Sequence, residues 1–159
     1  MDGADAVTDR LDRRVAGAFL VAVGAMFGLL WLGQIATVAT TGALPPDLVK
    51  ADISSNPVYA LDLAFFLPLC VVAGVGLLRR TGAALWAFPM LVWVPLMGAG
   101  VVGGIALMAA GGDQTALPVA VVVTVLGVVS SILAAAAVVR SRGASPVADP
   151  PNRLARQAG

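Results

Sequence analysis

The chain contains no histidine and no glutamate, and only one cysteine, Cys70. Each absence removes chemistry. Structural and catalytic zinc sites draw on converging Cys, His and carboxylate ligands, and haem takes His, Met or Cys on its axis. A single thiol forms neither an internal disulfide nor a Cys-x-x-Cys redox pair. No metal and no cofactor is therefore expected. Charge is scarce too: 12% of the 159 residues are charged, against about 25% in ordinary soluble proteins. All nine acidic residues are aspartate, and nine of the ten basic ones are arginine.

What fills the space is apolar. Hydrophobic residues make up 59% of the chain and the mean hydropathy is +0.93. A water-soluble fold of this size has too little interior to hide that much apolar surface, so the expected solvent is lipid. Four stretches exceed the roughly 20 apolar residues that cross a bilayer: about 15–40, 58–78, 83–110 and 116–139. Backbone groups in lipid must be paired within their own segment, which predicts helices. The fold class expected is all-α, a transmembrane antiparallel four-helix bundle. The first stretch is far longer than the 7–15-residue apolar core of a signal peptide and is read as a retained span.

Arginine sets the orientation. Arg10, Arg13 and Arg14 precede the first span, Arg79 and Arg80 separate the second from the third, and Arg140, Arg142, Arg153 and Arg156 follow the fourth. The other two connections carry Lys50 as their only base, beside Asp47, Asp52 and Asp113. Short basic loops stay in the cytoplasm. Residues 1–14 and 140–159 are thus expected inside, the latter as a disordered tail, with the loop 41–57 outside. The predicted location is a bacterial plasma membrane, multi-pass, with lipid as the first partner and no nucleic-acid partner.

Lipid gives apolar helices little reason to associate, so contacts depend on close approach at small residues. Three pairs have the required spacing: Gly24 with Gly28, Gly100 with Gly104, and Gly127 with Ser131. Pro68, Pro89 and Pro95 fall within spans. Each removes an N–H and crowds the carbonyl four residues earlier, those of Ala64, Leu85 and Leu91. Trp86 suits an interfacial anchor, while Trp31 and Trp93 lie deeper and are expected to fill gaps between helices. Thr115 is positioned to cap the fourth span.

One charged side chain interrupts the apolar runs. In "NPVYALDLAFFLPL" Asn56 suits an N-cap, Pro57 the first helical position, and Asp62 follows five residues later. At about 1.5 Å per residue Asp62 lies roughly 8 Å into the span. Gln34 reaches a matching depth on the first span, which predicts a hydrogen bond between the two inside the bundle. Tyr59 and Phe66 share the face of Asp62. An ionised carboxylate is costly to bury unless paired or hydrogen-bonded, and an ionisable group inside a membrane is by default a functional hypothesis. A structural reading stands beside it. Asp62 falls in the second turn of its helix, where the dipole favours negative charge, with Lys50 of the outer loop as counter-ion. The candidate polar site is Asp62, Gln34, Tyr59, Asn56 and Lys50.

The segment Asn56-Pro57-Val58-Tyr59, then Leu61-Asp62-Leu63, Leu67-Pro68 and the Arg79-Arg80 hinge, resembles an uncharacterised family of short four-span bacterial membrane proteins, largely actinobacterial. The likeness covers about a third of the chain. It departs at Thr81-Gly82, where the family pattern has an aromatic residue followed by glycine. The resemblance implies membrane location and the same topology, and it transfers no activity.

These residues support a non-enzymatic accessory, assembly or scaffold component that meets other spans, as a homo-oligomer or with another membrane protein. A small-molecule or proton-coupled permease built as a homo-oligomer, with Asp62 in its binding site, is the alternative. An enzyme acting on a lipid headgroup through Asp62 and Tyr59 would want a metal or several bases at the outer face, which offers only Lys50. Arg79 and Arg80 could also meet anionic headgroups at the inner face.

Overall fold

The structure is a computed structural model; it describes residues 3–44, 49 and 60–143, with side chains over 12–44, 49 and 60–142. Four helices long and apolar enough to cross a membrane occupy 12–41, 62–79, 82–110 and 117–142. This is a multi-pass helical membrane protein. Helix α1 runs over Gly3–Thr41, so the amphipathic start "DAVTDRLDRR" continues the first span without a break. Helix α2 covers Leu67–Arg79, α3 Ala87–Ala110 and α4 Leu117–Gly143. Asn56 and Pro57, Lys50, Tyr59 and the tail beyond Gly143 lie outside the described residues.

The bundle is built as two hairpin-like pairs, α1 with α2 and α3 with α4, joined by a thinner contact of α3 with α1 and α2. Glycine sets the first pair. A Cβ on Gly74 would come within 2.6 Å of the Gly17 carbonyl oxygen, and one on Gly24 within 2.8 Å of the Leu67 carbonyl oxygen. The close seam therefore runs through Gly17, Gly24 and Gly74. Of the expected pairs, only Gly24 sits in it. A Cβ at Gly28, Gly100 or Gly104 would meet nothing within 4 Å among the described residues. Spacing identifies small residues but not the side of the helix that a neighbour occupies. Between the pairs lies the apolar core, centred on Leu20, Cys70, Ala73, Met90 and Leu91.

Each proline leaves a different mark. Pro68 follows a π-helical turn, Asp62–Phe66, in which the Leu67 N–H donates to the Asp62 carbonyl five residues back. Pro68 itself has no N–H to continue the ordinary ladder, so the register slips by one residue there. Pro89 falls in the first turn of α3, after a 3-10 segment Gly82–Trp86, where a missing N–H does least harm. Pro95 lies inside α3 and denies the Leu91 carbonyl its helical donor. Ser130 of α4 replaces it: its hydroxyl is fully buried and donates to the Leu91 oxygen at 2.7 Å. One turn away, Gly127 packs on Pro95, its would-be Cβ 3.5 Å from the proline Cα. Gly127 thus contributes to the α3–α4 seam as expected, whereas its inward partner is Ser130. Ser131 is exposed and returns its hydroxyl to Gly127 of its own helix at 2.8 Å.

The arginine hinge turns at Arg80, which adopts the left-handed conformation (φ 57°) that usually falls to glycine at a helix end. Its N–H and that of Thr81 both return to the Gly76 carbonyl. The next segment folds back so tightly that a Cβ on Gly76 would lie 2.6 Å from the Ala84 nitrogen. At the opposite end Gly112, at φ 96°, turns α3 toward α4. Thr115 takes part in that turn rather than capping α4: its hydroxyl donates to Asp113 Oδ1 at 2.6 Å.

Candidate functional site

Asp62 points into the bundle and is only 9% exposed. The π turn puts it there. Leu67, Cys70 and Gly74 form the buried face of α2, and unbroken α-helical spacing would continue that face through Leu63, four residues before Leu67. The slip before Pro68 makes a full turn out of the five-residue step from Asp62 to Leu67, so the carboxylate takes the inward place and Leu63 moves to the flank. Single π turns inside α-helices recur at functional sites.

The hydrogen-bond donor to Asp62 is Trp31, not Gln34. Its indole N–H donates to Asp62 Oδ2 at 3.0 Å, and it is the only hydrogen bond to this carboxylate among the described residues. Gln34 lies three residues further along the same helix and is half-buried. The aromatic residues form a frame around this pair. Phe66, one turn along from Asp62, stacks on Trp93 of α3 with centroids 4.2 Å apart and planes at 13°, and Phe27 sits against Trp31 with centroids 6.2 Å apart. Trp31 had a readable signal. An indole N–H in an apolar span needs an acceptor, and Asp62 is the one carboxylate inside the apolar runs.

Beside the pair lies a cavity of about 290 Å³ between the two helix pairs. Its wall includes Phe27, Trp31, Asp62, Trp93, Met97 and Val123. No arginine or lysine lines it among the described residues. A second, shallower groove of about 550 Å³ runs along α3 and α4 past Gly98, Gly127 and Ser131.

The guanidinium groups gather at the other end. Arg13 and Arg14 of α1 and Arg80 of the hinge line one polar cleft of about 240 Å³ with Leu77 and Leu78. Sequence proximity pairs Arg80 with Arg79; the fold groups it with Arg13 and Arg14. Nearby, Arg140 of α4 forms an ion pair with Asp12 of α1, which ties the first and last helices together. Among the described residues no group of three His, Cys, Asp or Glu side chains converges.

The class defined by this architecture is a four-span helical membrane protein with, among the described residues, a single buried carboxylate. Comparison with protein-family models, curated proteins and solved structures yields no match.

Proposed function

We propose that this chain is a non-enzymatic component of a bacterial plasma membrane, an accessory or scaffold subunit whose helix faces receive other spans. The observation that carries this is the position of Gly100 and Gly104. One turn apart on α3, both are exposed, with nothing within 4 Å of either would-be Cβ among the described residues. A small-xxx-small face left open in this way allows a second helix to approach closely in lipid, where association rests on packing rather than on the hydrophobic effect. The partner is a second copy or another membrane protein. Sedimentation or cross-linking of the full chain in mild detergent tests it: Gly100→Leu and Gly104→Leu should shift an associated species toward monomer without loss of helicity. A wild-type chain that is strictly monomeric and co-purifies with no other protein would exclude this role.

A second reading, a permease assembled as a homo-oligomer with Asp62 in its binding site, is favoured by the cavity at the Trp31–Asp62 pair. Proteoliposome flux compares the wild type with Asp62→Asn; equal background flux in both removes it. The arginine-rich end is taken as cytoplasmic, following the positive-inside bias.

A further inference from the structure

Asp62 is nine-tenths buried and lines the cavity between the helix pairs. Trp31 fixes one of its two carboxylate oxygens, Oδ2, through a neutral donor. A neutral N–H orients the group but supplies no opposite charge, and a buried charge is costly until it is paired as well as hydrogen-bonded. The described cations do not supply it. Arg13, Arg14, Arg79, Arg80, Arg140 and Arg142 all stand toward the other end of the spans.

The rest of the wall limits which cation could fit. Small hard ions require several oxygen ligands, six to eight for calcium and near-octahedral six for magnesium. One carboxylate among Phe27, Trp31, Trp93, Met97 and Val123 cannot provide such a shell. Aromatic side chains instead attract weakly hydrated organic cations through their negative ring faces, most strongly at tryptophan. A volume of about 290 Å³ is near the lower limit of small-molecule pockets, roughly 300–1,000 Å³. At about 30 Å³ per water-sized group it holds on the order of ten such groups.

We propose that this cavity binds a lipophilic monovalent ammonium ion, its charge against Asp62 and its apolar body among Trp31, Trp93 and Met97. The inference deepens the permease reading by naming its substrate class. It concerns binding only, so it stands where binding is found without flux.

The test is titration calorimetry on the full chain in nanodiscs of zwitterionic phosphatidylcholine, with empty nanodiscs as the blank. Benzyltrimethylammonium is the ligand, and neopentylbenzene, in which carbon replaces the charged nitrogen, is the matched neutral control. The expected result is saturable binding of the ammonium ion, at least tenfold tighter than the control. Asp62→Asn should weaken it at least tenfold. Met97→Trp, which fills the cavity and leaves Asp62 intact, should abolish it, and this variant decides the matter if Asp62→Asn does not fold. Equal affinity for the control, no saturable binding by the wild type, or unchanged affinity in Met97→Trp overturns the proposal. Binding without proteoliposome flux removes the permease reading alone; absence of binding removes the ligand class and leaves the Gly100–Gly104 association test untouched.

Discussion

Ser130 donates its hydroxyl to the backbone oxygen of Leu91, 39 residues away in sequence and 2.7 Å away in space. That oxygen lacks a helical partner because Pro95 stands four residues after it. A carbonyl freed in one helix is thus satisfied by a side chain of the next, as lipid requires. Ser130→Ala should destabilise the α3–α4 pair by about 1–2 kcal/mol, read as a lowered unfolding midpoint in detergent. Ser131→Ala, whose hydroxyl serves its own helix, should do less. Pro95→Ala restores the N–H and should relieve most of the Ser130→Ala loss in a double-mutant cycle; fully additive losses would contradict the shared carbonyl.

The α1–α2 seam makes a contrast between glycines that look alike in sequence. Gly74→Ala would press a methyl group to 2.6 Å from the Gly17 oxygen, and backbone cannot rotate away as a long side chain can. A loss of about 1–3 kcal/mol is expected from overpacking. Gly28→Ala, with nothing within 4 Å among the described residues, should be neutral or slightly stabilising because alanine is the better helix former. Thermal unfolding of both variants in one detergent makes the comparison; equal losses would count against the seam.

Trp31 positions Asp62 and should be energetically coupled to it. Trp31→Phe keeps the ring and removes the donor. It should destabilise by about 1.5–3 kcal/mol, the usual range for a hydrogen bond to a charged group. In Asp62→Asn the charge-assisted part is already gone, so the same Trp31→Phe change should lose less there. Additivity between the two substitutions would show that the 3.0 Å contact carries no coupling.

Orientation is open to direct labelling. Single cysteines at Thr81 and at Gln114, in a Cys70→Ala background, should react differently with a membrane-impermeant maleimide on intact cells. Gln114 should label and Thr81 should label only after lysis. The opposite pattern would invert the bundle.

The cleft of Arg13, Arg14 and Arg80 should retain phosphate-bearing lipid. Native mass spectrometry of the wild type should show more bound phosphatidylglycerol than the triple glutamine variant, with phosphatidylcholine unaffected. The Arg79→Gln variant, outside the cleft lining, should resemble the wild type.

Membrane character, four spans and the placement of arginine at one end were legible in the residues alone. These depend on length and composition: a run of apolar residues that fills a bilayer has no other way to pair its backbone. The special position of Asp62 was legible for the same reason, as the lone carboxylate in such a run. Which side chain meets it was not. Gln34 and Trp31 differ by less than one helical turn in depth, and only the rotation of α1 against α2 selects the indole. The inward turn of Asp62 depends on a one-residue slip before Pro68, which α-helical periodicity cannot anticipate. Likewise Gly24 and Gly28 have identical chemistry, yet among the described residues only Gly24 meets α2 within 4 Å. Sequence specifies which groups must find partners in lipid; tertiary packing decides which partners they find, because azimuth and register are properties of two helices together and of neither one alone.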